Sequence, residues 1–93
     1  MTVQVLLPGA LAPAAGGARR VELEVPGSTV EGLLDALAVA HPLLVRRLRD
    51  ETGALRRFVN VYVDGEDVRW DGGLAAAVPD GAVVQVLPSV AGG

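Results

Sequence analysis

The chain ends in Gly92-Gly93, and the carboxylate of that pair is the most suggestive reactive group in its 93 residues. With 12 glycines in the chain, two in the final positions arise by chance in roughly 2% of such sequences, so the pair is a signal of moderate weight. Having no Cβ, both residues can adopt backbone angles closed to other residues. The side chains offer little competing chemistry. There is no Cys, hence no disulfide, thiolate nucleophile or cysteine-bearing zinc site, and the single His41 cannot supply the remaining ligands. There is no Lys, which removes Schiff-base and P-loop chemistry. His41 stands before Pro42 and reads as a helix-end residue suited to C-terminal carbonyls. Ser28 reads as a helix cap and Ser89 as a tail residue, so no Ser-His-Asp triad is expected without a nucleophile motif.

Charge narrows the partners. Eight basic against eleven acidic residues leave a net charge of -3, which argues against nucleic acid. No apolar run approaches the length of a membrane span, and Met1 to Leu7 lacks the positive region of a signal peptide, so a cytoplasmic protein is expected. At 51% apolar residues and 20% charged, the chain has enough apolar side chain for one small core.

The elements follow from periodicity. Val3, Val5 and Leu7 alternate with Thr2, Gln4 and Leu6 as in a strand that stops at Pro8-Gly9. The Ala, Gly and Pro stretch up to Ala18 reads as a flexible loop. Val21, Leu23 and Val25 alternate with Arg20, Glu22 and Glu24, a second strand in a hairpin with the first. Ser28 and Glu31 have capping-box spacing, and Val30, Leu33, Leu34 and Leu37 form the apolar stripe of the helix that follows. Pro42 ends that helix, and a short second helix is expected from Leu43 to Arg49, with Leu44 and Leu48 inward and Arg46, Arg47 and Arg49 outward. Arg56 to Val63 is the strongest strand signal, with Val59, Val61 and Val63 on one face and Phe58, Asn60 and Tyr62 on the other. Asp64-Gly65 is a hairpin turn, Glu66 to Trp70 a short return strand, and Ala82 to Leu87 the last strand. Its register leaves either Val84 and Val86 or Val83 and Leu87 facing the core. This order predicts an α+β domain, with one main helix and a short one on a mixed sheet, as in ubiquitin-like β-grasp folds. Pattern alone also leaves a split βαβ arrangement open. The domain is expected over residues 1–87, with a flexible tail over 88–93.

The chain resembles the small sulfur carriers of the MoaD and ThiS family, and CysO-type carriers most of all. The resemblance is densest in Arg57-Phe58-Val59-Asn60-Val61-Tyr62-Val63, Glu66-Asp67-Val68-Arg69, Gly72-Gly73-Leu74 and Leu87-Pro88-Ser89-Val90-Ala91-Gly92-Gly93. Asp64-Gly65 departs from the usual Asn-Asp turn of such carriers. The resemblance implies that an E1-like enzyme, using ATP and magnesium, adenylates the Gly93 carboxylate, and that sulfur then displaces AMP to leave a thiocarboxylate. It implies a protein cosubstrate with no catalytic side chain, no bound cofactor and no metal site. The implied partners are a pyridoxal-phosphate cysteine synthase and a metalloprotease, with a MoaD-like role beside a molybdopterin synthase large subunit as the alternative, or sulfur donation to thiamine or a secondary metabolite.

Phe58, Leu87, Val90 and Ala91 are the apolar candidates for partner docking beside the tail, and Arg57 and Arg69 the charged ones, with core packing the rival explanation for Phe58 and Leu87. A noncovalent ubiquitin-like binding module would keep its binding when a residue is added after Gly93. A small enzyme with its own active site would keep turnover when Gly92 and Gly93 are removed.

Overall fold

The computed structural model describes residues 2–25 and 29–88. Within them, β1 (Thr2–Leu6) pairs antiparallel with β2 (Arg20–Glu24), as the alternation of the two segments predicts. Val3, Val5, Val21 and Leu23 are buried on one face, and Arg20, Glu22 and Glu24 stay in water on the other.

The connection between them is not the flexible loop that its composition suggests. Ala12–Ala15 forms a 3-10 turn whose Ala12 and Ala15, with the preceding Leu11, are buried in the core. Pro8 O accepts from both Leu11 N and Ala12 N, Pro13 fits the first turn, and Gly16 takes the left-handed φ of 67° that stops it. Small side chains let this turn pack closely, and composition counted that smallness as disorder.

Helix α1 (Val30–Ala40) lays Val30, Leu33, Leu34 and Leu37 against the sheet, each at most 1% exposed. Burying each of the leucines contributes about 1.5–3 kcal/mol to holding the helix on the sheet. The N-cap is Thr29, whose Oγ1 accepts from Gly32 N at 3.1 Å. The expected cap, Ser28, lies outside the described residues. His41 leaves helical geometry at φ -139° and ψ 73°, as the following proline demands. Helix α2 (Pro42–Leu48) starts at that proline, which loses no hydrogen bond at a first helical position. Leu44, Val45 and Leu48 face inward and Arg46 and Arg47 outward. Arg49 departs from the expected solvated face. It folds back, with Nη1 2.8 Å from Asp35 Oδ1 and Nε donating to Gly53 O at 2.7 Å, and its side chain is 15% exposed.

Strand β3 (Val59–Val63) begins three residues later than the alternation suggests, because Arg57 and Phe58 form a turn. After Asp64-Gly65, β4 is only Glu66–Asp67. The expected return strand gives way to a 3-10 turn over Val68–Trp70, in which Asp67 Oδ1 accepts from Arg69 N at 2.8 Å and Val68 drops into the core. A second 3-10 turn over Gly73–Ala75 follows. Strand β5 (Val83–Pro88) buries Val84 and Val86, which settles its register, and continues one residue past the expected end, with Pro88 opposite Val59.

The sheet order is β2-β1-β5-β3-β4. β5 runs parallel to β1 and antiparallel to β3, so it alone joins the two strand pairs. The helices cover one face, and the other is open. No helix among the described residues is long and apolar enough to cross a membrane.

Candidate functional site

Because the side chains of a strand alternate, the residues that β1, β3 and β5 do not give to the core share the open face. The register places Leu6 opposite Gln85, and Gln85 opposite Tyr62, in one row. The next row pairs Leu87 with Asn60. Leu6, Tyr62, Asn60 and Leu87 are all half-buried, which gives a partly apolar surface at the end of the sheet where β5 finishes.

Several expected site residues converge there. Arg69 reaches from the 3-10 turn after β4 to donate from Nη2 to Asn60 Oδ1 at 2.9 Å and, at 3.5 Å, to Val59 O. This holds the guanidinium beside the row that carries Leu87. Phe58 precedes β3 at the same end and is 54% exposed, so core packing does not account for it. Leu87 is half-buried and outside the hydrophobic core. Arg57 is exposed and lines a cleft with Val59 and Val61, on the other side of β3 from Asn60 and Tyr62. Val90, Ala91, Gly92 and Gly93 lie outside the described residues.

Leu6, Asn60, Tyr62 and Gln85 belong to this surface without having been candidates. Their alternation with buried valines was legible, but which residues stand in one row depends on register between strands far apart in sequence. At the opposite end of β3 the Asp64-Gly65 turn is tied to the start of β5. Asp64 Oδ1 accepts from Val83 N at 2.9 Å, and Asp64 N donates to Val83 O at the same distance. Asp64 takes a positive φ of 49°, which aspartate tolerates better than most residues, and Gly65 follows at 88°.

Elsewhere the structure accounts for the polar groups by local folding. His41 N donates to Leu37 O at 2.7 Å and His41 O accepts from Val45 N at 3.3 Å, joining the two helices as a helix-end residue should. The hydroxyl of Thr52 donates to Asp50 Oδ1, which also accepts from Thr52 N and Ala54 N, and these bonds hold the Asp50 carboxyl below the usual carboxylate range. Among the described residues no three His, Asp or Glu side chains converge as a metal site would require. What this surface offers chemically is apolar shape and hydrogen-bonding groups rather than a cluster of catalytic side chains.

The five-stranded mixed sheet, covered on one face by a long helix and a short one, defines a ubiquitin-like β-grasp protein. The model of the ThiS family matches residues 5–93, and the chain belongs to that family. Among its relatives, the sulfur carrier protein CysO of Mycobacterium tuberculosis is 43% identical over 95 residues, covering 100% of both chains. A chain in the crystal structure of the Amycolatopsis orientalis BexX/CysO complex superimposes with a TM-score of 0.85 at 44% identity, covering 98% of this chain and 99% of that one. Small archaeal modifier protein 1 (SAMP1) of Haloferax volcanii superimposes with a TM-score of 0.83 at 35% identity, covering 100% of both.

Proposed function

We infer that this protein is a sulfur carrier, a protein cosubstrate that bears sulfur on the carboxylate of Gly93. The observation that carries this reading is the 43% identity to a sulfur carrier protein across the full length of both chains. The residue inventory is compatible with it, since the chain has no Cys to carry sulfur as a persulfide and a C-terminal carboxylate can carry it as a thiocarboxylate. The position of β5 supports it too: Pro88 ends the central strand beside Phe58, Asn60 and Leu87, so a docked partner would find the tail next to the surface it grips.

The chemistry follows from the reactivity of a carboxylate. Its carbonyl carbon is shielded by delocalised negative charge and resists nucleophiles. An E1-like enzyme removes that resistance with ATP and magnesium: a Gly93 carboxylate oxygen attacks the α-phosphorus of ATP, pyrophosphate leaves, and the acyl-adenylate has AMP as its leaving group. Hydrosulfide then attacks the carbonyl carbon, AMP departs, and a thiocarboxylate remains. Gly92 and Gly93 form the arm that enters the partner's active site. Leu87 and Phe58, extended by Val90 and Ala91, supply apolar docking contacts, and Arg69 and Arg57 supply charge. The acceptor we favour is an activated serine derivative on a pyridoxal-phosphate enzyme, with cysteine afterwards released from the tail by a metalloprotease.

The test is the intact mass of the protein after incubation with the E1-like enzyme of its host, ATP, magnesium and sulfide, beside a variant lacking Gly93. A mass gain equal to one sulfur replacing one oxygen, absent in the variant, is expected. An unchanged mass with an enzyme active on another carrier would overturn the reading.

A further inference from the structure

On the side of β3 that carries Val59 and Val61 lies a cleft of about 450 Å³. Its apolar lining comes from Leu55, Val59, Val61, Val68 and Leu74, drawn from β3 and the segments packed beside it. Its charged lining is Arg56, Arg57 and Arg69 against the single carboxylate of Asp67. That carboxylate is already engaged, with Oδ1 accepting from Arg69 N at 2.8 Å.

The arginines are held to different degrees. Arg56 donates from Nε to Arg46 O at 2.9 Å, which fixes its stem and leaves its terminal nitrogens to point elsewhere. Arg69 is tied to Asn60. Arg57 is exposed and forms no hydrogen bond or ion pair among the described residues. An exposed guanidinium beside an apolar cavity is hydrated in the free protein, and a docked carboxylate replaces that water with paired, charge-assisted hydrogen bonds. The chain as a whole carries a net charge of -3, so this concentration of positive charge runs against its average.

Two exposed aromatics stand next to lining residues in the chain. Phe58 follows Arg57 and is 54% exposed, and Trp70 follows Arg69 and is 82% exposed. Aromatic and arginine side chains around an apolar pocket are the residues that dominate protein interfaces. A small ligand filling the cleft would leave both aromatics in water, whereas a peptide crossing it would cover them. We propose that this cleft is a second docking site, which takes an acidic segment of a partner protein. An apolar side chain of that segment enters between Leu55 and Leu74, and flanking Asp or Glu carboxylates pair with Arg57 and Arg56. The apolar floor of the site lies across β3 from the open-face row of Tyr62 and Gln85, while Arg57 and Arg69 are shared with the docking contacts proposed above. The proposal does not rest on sulfur chemistry at Gly93.

The probe is a short synthetic peptide with Leu and Phe at its centre flanked by Asp and Glu, titrated into the intact protein and followed by amide chemical shifts and Trp70 fluorescence. Shifts are expected at residues 55–59 and 67–74, with affinity that falls as salt is raised. Arg57→Glu is expected to weaken binding about fivefold or more, and Arg56→Glu to act in the same direction. Leu87→Asp, on the open face, should leave the peptide affinity unchanged. Any of four results overturns the proposal: no shifts, shifts confined to Leu6, Gln85 and Leu87, equal binding of a peptide with Lys in place of its acids, or octanoate occupying the cleft as tightly as the peptide. Because the readout is binding to the unactivated protein, it fails or succeeds independently of thiocarboxylate formation.

Discussion

Arg69 and Asn60 are joined by a 2.9 Å hydrogen bond from guanidinium Nη2 to the amide oxygen, which ties the turn after β4 to the strand opposite Leu87. An exposed contact of this kind stabilises the fold little and positions the guanidinium well. Arg69→Ala is therefore expected to lower unfolding stability by no more than about 1 kcal/mol while raising the KM for the carrier in E1-dependent pyrophosphate exchange. Urea denaturation and steady-state kinetics separate the two effects. A large stability loss with an unchanged KM would assign Arg69 to folding alone.

Leu37 is fully buried in the stripe that α1 lays on the sheet. Leu37→Ala removes apolar contact and leaves a cavity, so it should cost about 2–5 kcal/mol in chemical denaturation. Val39→Ala, on the same helix but 87% exposed, should fall within about 0.5 kcal/mol of wild type.

Extending the chain by one residue beyond Gly93 tests whether the final carboxylate is the reacting group. The extended protein should fold with an unchanged melting curve and fail to gain sulfur in the intact-mass assay. Sulfur gain in the extended protein would move the reaction to another group.

The pH dependence of stability has one local source in the turn after α2. Hydrogen bonds from Thr52 hold the folded-state Asp50 carboxyl below its unfolded value. Its contribution is therefore present above the unfolded carboxylate pKa and is lost as pH falls through the lower, folded value. Asp50→Asn and Thr52→Ala should each flatten the acid limb of a stability-pH curve. An acid limb identical to wild type in both would place the titrating groups elsewhere.

Thr29 caps α1 through Gly32 N. Thr29→Ala is expected to cost about 1 kcal/mol, and Thr29→Ser to restore most of it, in thermal or urea unfolding.

Element order and core face were legible in the sequence wherever one physical signal dominated. The valines of β3 and the leucines of α1 repeat with the periods of strand and helix, and every one of them is buried. Signals failed where two local forces compete. Val68 has the composition of a strand, but Asp67 captures Arg69 N and turns the chain there. Arg49 has the charge of a surface residue, but Asp35 and Gly53 O, both brought near by folding, draw it inward. The open-face row was half legible: alternation named Leu6, Asn60 and Tyr62, left the face of Leu87 open, and only the cross-strand register shows that Leu6, Gln85 and Tyr62 stand side by side. Arg57 was a candidate for partner contact from its place in the motif, and the cleft it lines could not be read from the sequence, because Leu55, Val61 and Leu74 meet there only through the tertiary fold.

The position of β5 also bears on how the chain is made. The strand that unites the β1-β2 pair with the β3-β4 pair is the last of the described strands to be synthesised. A nascent or prematurely terminated chain that lacks Val83–Pro88 has two separate hairpins and no continuous sheet for α1 to cover. Formation of the continuous sheet therefore waits on the strand that immediately precedes the C-terminal residues.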